Sequence, residues 1–173
     1  MSPQTPEFDP IIRACQSSDL LTLAELARYI WQQHYPAIIS QAQIDYMLQQ
    51  RYQTTALQAE LDTPWHWLDG LWLGENMLGF ANYFCTEQPA EMKLDKLYLH
   101  PDWHGRGLGS LMLEYVTARA RQQGCETLTL AVNKNNTTAI KAYHSNGFEV
   151  AREVVVDIGN GFVMDDFIMS KVL

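Results

Sequence analysis

The sequence predicts an α/β fold, a mixed sheet with helices on both faces, organised as one domain over residues 1–173. Three observations carry this. A chain of 173 residues that is 47% hydrophobic is long and apolar enough for one packed core, and too apolar for a disordered segment. Apolar runs of period two and of period near 3.6 interleave along it. Their order, α-α-β-β-β-α-β-α-β-β, is not a run of βαβ units, so the sheet must be mixed.

The first ten residues, rich in proline and acid, read as an extended lead-in. Ser18 or Asp19 is placed to cap a helix whose stripe is Leu20, Leu23, Ala24, Ala27, Ile30 and Trp31. A second helix opens on a capping box, Ser40 with Gln43, and carries Ile44, Met47 and Leu48 on one side. Leu57 and Leu61 suggest a further short helical turn. From Trp65 the pattern changes to strands: 65–73 and 77–85 flank the hairpin residues Gly74, Glu75 and Asn76, and 92–100 is closed by Pro101. Residues 105–123 read as a helix through Leu108, Leu111, Met112 and Tyr115, stopped by Gly124. A strand over 127–132, a short helix over 136–146 ending at Gly147, and strands over 148–157 and 164–173 complete the chain. There is no internal repeat and no low-complexity linker.

Charge and cysteine content narrow the function. With 12 Lys+Arg against 20 Asp+Glu the net charge is −8, which argues against wide contact with nucleic acid or an anionic membrane surface. The excess is uneven. Residues 1–91 hold three basic and eleven acidic side chains, whereas 92–173 hold nine of each. Cys15, Cys85 and Cys125 are too few for a disulfide framework and point to a reducing compartment. The start has acids and prolines where a signal peptide needs positive charge and an apolar run, and no apolar run reaches the about 18 residues of a membrane span. A cytoplasmic protein is expected.

The most informative segment runs from Leu97 to Leu111. A strand ends at His100, a loop follows, and Gly105, Gly107 and Gly109 lead straight into a helix. Glycines there admit a ligand close to the backbone, and the free N–H groups of the helix start, at the positive end of its dipole, suit a phosphate. A dinucleotide fingerprint needs a third glycine where Ser110 stands, and no lysine lies between Lys96 and Lys134 to make a nucleotide P-loop. The plain alternative is a tight turn without a ligand.

His104-x-x-Gly107-x-Gly109 resembles the acyl-CoA pyrophosphate loop of the GNAT family of N-acetyltransferases, which usually reads Gln/Arg-x-x-Gly-x-Gly/Ala. A second match is the run Asn136 to Phe148, with Ala139, Tyr143 and Gly147. The ending, Asp157 to Met169, is similar to a bacterial branch related to spermidine/spermine acetyltransferases. The resemblance implies an acyl-CoA N-acyltransferase fold, its mostly antiparallel central sheet splayed between two strands. Residues 11–91 would build the acceptor side and 92–173 the acetyl-CoA half. Acetyl-CoA is the implied cosubstrate and no metal is implied. The pyrophosphate would meet His104, Gly105, Arg106, Gly107, Leu108 and Gly109, and pantetheine the backbone near Leu97 and Leu99. Asn136 would cap its helix and touch the cosubstrate. His104 departs from the usual Gln or Arg, and Arg106 faces either a phosphate or solvent.

The chemistry implied is direct attack of an amine on the thioester, an N–H stabilising the oxyanion and Tyr143 protonating the departing thiolate. An alkylammonium of pKa about 10.4 must first lose a proton. Glu91, Asp95, Asp166 and an ordered water all remain candidates for that role. The acceptor is expected to be a small cationic amine such as a polyamine, which an acidic acceptor half would steer. A protein N-terminus or lysine is the alternative acceptor, and a non-catalytic acyl-CoA sensor the alternative function. An exposed final strand makes a homodimer plausible. Cys85 reads as a strand cysteine rather than a nucleophile. His100 and His104 cannot align on a helix across Pro101, which disfavours a metal site. Trp65, Trp67, Trp72, Tyr83 and Phe84 read as sheet packing, some of them walling the acceptor cleft.

Overall fold

The computed structural model describes residues 8–173; the lead-in expected over 1–10 lies mostly outside them, and residues 8–10 are irregular. Seven strands form one sheet in the order β1-β2-β3-β4-β5-β7-β6. They are β1 (Ile11–Ala14), β2 (His66–Leu73), β3 (Asn76–Cys85), β4 (Glu91–Leu99), β5 (Thr127–Asn133), β6 (Glu149–Gly159) and β7 (Phe162–Val172). Every neighbouring pair is antiparallel except β4 with β5. Strand β1 was not expected. Its four residues are all exposed or half-buried, so no buried face marks it in the sequence. It joins by backbone pairing to β2.

Three helices cover one face: α1 (Leu20–His34), α2 (Gln41–Arg51) and α3 (Thr54–Asp62). The α1 stripe is buried as expected at Leu20, Leu23, Ala27, Ile30 and Trp31, with Ala24 half-buried, and it packs with Ile44, Met47, Leu57, Leu68 and Phe80. Burial of each such side chain contributes about 1.5–3 kcal/mol. The expected cap of α1 is absent. The Asp19 carboxylate pairs instead with Arg13 at 2.8 Å and accepts the Gln16 N–H at 2.8 Å, shaping a 3-10 turn over Ser17–Asp19 that feeds α1. The capping box of α2 forms only in half. Ser40 Oγ accepts from the Gln43 N–H, but the Gln43 amide donates to Val163 O at 2.9 Å, where it ties α2 to β7. Helix α3 runs nine residues where only a turn was expected.

The other face carries α4 (Leu108–Gln122) and α5 (Thr137–Ser145). Met112, Leu113, Val116 and Ala120 of α4 pack on Leu94, Leu128 and Leu130, with Phe148 and Met169 in the same core. Helix α4 starts three residues later than the glycine pattern suggested, because Gly105 and Gly107 take positive φ. Trp72 and Tyr83 are buried and Trp67 stacks on Tyr83, but Trp65 is 66% exposed and belongs to no core. The final strand is not exposed as expected. β7 lies between β5 and β6, and the open edges of the sheet are β1 and β6.

One feature of the sheet positions the site. β4 and β5 pair over only four residues each, Glu91–Leu94 with Thr127–Leu130, after which β4 continues to Leu99 and β5 to Asn133 without each other. The sheet is splayed there, as the resemblance implied. A bulge opposite Asn82 and Tyr83, which pair with Lys96 and Leu94, leaves Asp95 as the extra residue of β4.

Candidate active site

The splay opens into a cavity of about 1510 Å³ lined from both faces of the sheet. At one end stands the start of α4. Gly107 holds its cap position at φ 77°, ψ 5°, and Gly105 sits at φ 74°, left-handed conformations that a side chain disfavours. Leu111 N–H is the first to find its helix acceptor, Gly107 O, so the N–H groups of Leu108, Gly109 and Ser110 are left for a ligand. With the helix dipole behind them these donors suit an anion. The His104 ring donates from Nε2 to Leu99 O at 2.9 Å, fastening the loop to the end of β4. The Arg106 guanidinium lies 4.6 Å over the Trp103 ring and is outside the cavity wall. The Leu108 side chain is buried in the core, which leaves its backbone as the part that can serve a ligand.

Along the gap, Leu97 and Leu99 of β4 line the cavity half-buried, opposite Val132 and Asn133 of β5. Asn136 is 6% exposed and caps α5 by accepting the Ala139 N–H. Its Oδ1 also meets His34 Nε2 at 3.1 Å, joining the end of α1 to the start of α5. His34 has no signal in the sequence that marks it, since its partner is 102 residues away. Tyr143 projects from α5 into the same cavity with its ring against the Phe148 edge, 5.7 Å between centroids. Burial, reinforced by nearby Tyr35, pushes its phenol well above the usual tyrosine range, so it stays protonated.

The three carboxylate candidates separate clearly. Glu91 accepts from Thr86 Oγ1 at 2.8 Å at the start of β4, away from the cavity wall. Asp95 lines the cavity but is taken: Arg51 reaches it at 2.7 Å, Lys96 at 3.2 Å and Lys93 at 3.9 Å. Burial alone would raise the Asp95 carboxyl, yet these cations together hold it below its ordinary value. Asp166 on β7 is 5% exposed, lines the cavity, and has Oδ1 sealed with no hydrogen-bond partner. Burial, helped by Asp165, raises its pKa above the ordinary carboxylate value despite Lys93, Arg51 and Lys134. Of the three, Asp166 is thus the carboxylate that lines the cavity with an oxygen lacking a partner and with its pKa raised rather than lowered.

The acidic excess of residues 1–91 does not gather at this cavity. Among the described acidic residues of that half only Glu60 lines it, and Glu60 already pairs with Lys96. Asp19 serves Arg13 and Asp69 is buried accepting from Tyr83. The steering expected from the acidic half is corrected accordingly: what carboxylate character the cavity has is local. Among the described residues no group of three or more His, Cys, Asp or Glu is arranged to hold a metal ion. His100 instead accepts the Asp102 N–H and stacks on Tyr29.

A sheet opened at its one parallel pair, beside a helix start with bare N–H groups, is the architecture of an acetyl-CoA-dependent N-acyltransferase. Residues 23–148 match the Acetyltransferase (GNAT) family, and the chain belongs to that family. A spermidine N(1)-acetyltransferase of Thermoplasma acidophilum is 29% identical over 143 residues, 80% of this chain and 88% of that protein. A mycothiol acetyltransferase of Salinispora tropica is 30% identical over 120 residues, 65% of this chain and 39% of that protein. Among solved structures, an N-acetyltransferase of Thermoplasma acidophilum in complex with coenzyme A superposes with a TM-score of 0.82 at 25% identity, covering 95% of this chain and 99% of the other. A GCN5-related N-acetyltransferase of Rhodopseudomonas palustris gives 0.79 at 22% identity, covering 95% and 96%.

Proposed function

We propose that the chain acetylates a primary amine of a small cationic molecule of the polyamine class, by direct attack on acetyl-CoA, with Asp166 as base and Tyr143 as acid. The observation that carries this reading is the Asp166 carboxylate, sealed in the cavity wall with no cation of its own. The spermidine-acetylating relative supports the substrate class.

In this reading the N–H groups of Leu108, Gly109 and Ser110, with Gly105 and Gly107 bare of side chains, receive the pyrophosphate. His104 holds that loop in place, and Arg106 supplies charge from outside the cavity. The backbone of Leu97 and Leu99, unpaired toward β5, takes the amide-bearing arm, and Asn136 closes on it. The acceptor ammonium gives a proton to Asp166. Its nitrogen then attacks the thioester carbon, and a β4 backbone N–H in the gap stabilises the oxyanion. The C–S bond breaks as Tyr143 donates its proton to sulfur. The attacking nitrogen loses its second proton to solvent, solvent returns a proton to Tyr143, and Asp166 releases the one it took, so each turnover frees one proton. The acceptor wall draws on both halves of the chain, since Arg51 and Glu60 come from the first and Asp95 and Asp166 from the second. Three free cysteines accord with a reducing, cytoplasmic setting.

Thiol release from acetyl-CoA, followed across polyamines, alkylamines, amino acids and peptides, tests the proposal. Polyamines are expected to give the highest kcat/KM. Turnover of peptides alone would overturn the substrate class, and no turnover with any amine would overturn catalysis in favour of a sensor.

A further inference from the structure

The cavity wall holds a second set of polar atoms without partners, separate from Asp166. Asn82 is 1% exposed; its Nδ2 donates to Trp67 O at 3.0 Å, but its Oδ1 is sealed with nothing to accept from. Glu60 gives Oε1 to Lys96 and leaves Oε2 sealed and unpartnered. His66 Nδ1 is in the same condition. All three residues line the cavity. They are also neighbours. His66 pairs with Phe84 and Leu68 with Asn82, so His66 and Asn82 lie diagonally on one face of the sheet. Asn82 pairs with Lys96, whose ammonium Glu60 holds.

Buried polar atoms are rarely left without partners, and each costs roughly 1–3 kcal/mol when it is. Three together in the wall of one cavity mark a place where a ligand supplies the missing partners. The local charges permit a cation: Arg51 and Lys96 are matched by Asp95 and Glu60, and the Glu60 oxygen that faces no cation is the unpartnered one. Lys93 lies beyond them against Asp95 at 3.9 Å. The terminal torsions of Asn and Glu are soft, so a small rotation turns these oxygens into the space their residues already line.

The position is as informative as the chemistry. Asn82 lies level with Lys96, and two residues past the last β4–β5 pair the same row continues through Val132 of β5 and its partner Phe167, next to Asp166. Asn82 and Asp166 thus stand on nearly one row, three strands apart. At roughly 4.8 Å per strand, and more across the splay, they are separated by about 14 Å or somewhat over.

We infer that Glu60, Asn82 and His66 form a second subsite that binds the far terminal ammonium of an extended acceptor whose near amine reacts beside Asp166. The inference rests on the amine-acetylation reading and narrows it, from the polyamine class at large to members long enough to span both places. Short diamines cannot reach both places at once.

The test is a calorimetric titration of the CoA-saturated protein with α,ω-diaminoalkanes of increasing length, each against the n-alkylamine of the same length, alongside turnover of the same compounds. Beyond a threshold length the diamine is expected to bind about tenfold or more tightly than its alkylamine, as one charge-assisted contact allows. Glu60→Gln is expected to bring the long diamine down to the affinity of the matching alkylamine, and His66→Leu to reduce the advantage independently should the first variant fold poorly. Equal affinities at every length, or an advantage that survives both substitutions, would overturn the subsite. A length-dependent advantage with no acetylation of any amine would sustain the subsite and overturn the catalytic reading instead.

Discussion

Removing one oxygen atom from Tyr143 separates catalysis from folding. Among the described residues no protein group hydrogen-bonds its hydroxyl, while its ring packs against Phe148 and the core under α5. Tyr143→Phe keeps that packing and strands no buried partner, so unfolding stability should change by no more than about 0.5 kcal/mol. Loss of a general acid costs about 10²–10⁴ in rate, or roughly 2.7–5.5 kcal/mol on the barrier at about 1.36 kcal/mol per decade. Because burial holds the phenol well above the usual tyrosine range, the wild type keeps its donor throughout, and the ratio of wild-type to variant kcat should stay constant from mildly acidic to alkaline pH. Steady-state thiol release between mildly acidic and alkaline pH, with thermal unfolding of both proteins, measures each quantity. A variant with full activity, or a defect that vanishes within this range, would refute the acid role; a large loss of stability would show that the oxygen serves the fold.

Asp166→Asn should lower kcat/KM about 10²–10⁴-fold at neutral pH and abolish the acidic limb of the pH–rate profile, which in the wild type should lie above the ordinary carboxylate range because burial raises that pKa. A carboxyl raised on folding favours the folded state at low pH and loses that contribution as pH climbs through the raised value, so the same variant should melt higher than wild type at pH 7, by about 2–4 °C for each kcal/mol relieved. Gly107→Ala must hold a side chain at φ 77°, which costs roughly 1–2 kcal/mol, and should raise the KM for acetyl-CoA more than it changes kcat. Lys96→Met leaves Glu60 and Asp95 facing each other without the ammonium between them, and since Lys96 is 1% exposed the loss in a urea melt should approach about 3 kcal/mol.

Elements that carry a local signal were legible in the sequence: the α1 stripe by its helical spacing, β2 and β3 by apolar runs, almost continuously buried, on either side of a turn, and the entry to α4 by its glycines. β1 was not, because it buries no face and exists only by pairing with β2. The site was legible where a motif fixes backbone, as at Gly107 and at the Asn136 cap, and illegible where a side chain chooses among distant partners. Asp95 and Asp166 look alike in sequence. Arg51, 44 residues before Asp95, settles which of them is quenched. The acidic first half misled for a related reason: charge summed over a segment says nothing of where its carboxylates point, and most of these serve other contacts or face solvent away from the cavity.

The four-rung ladder between β4 and β5 carries a consequence for solution behaviour. Beyond Leu94 the amides of β4 that face β5 have no strand to shield them, although they lie at the centre of a seven-stranded sheet. Such amides should exchange with deuterium far faster than those of β3 one strand away. On the proposed placement of the cosubstrate's amide-bearing arm they would acquire acceptors, and their exchange should slow on binding while that of β3 is unchanged. Mass-resolved exchange over residues 95–99 therefore reports occupancy of the gap directly, in the resting protein and in any inactive variant, without a turnover assay.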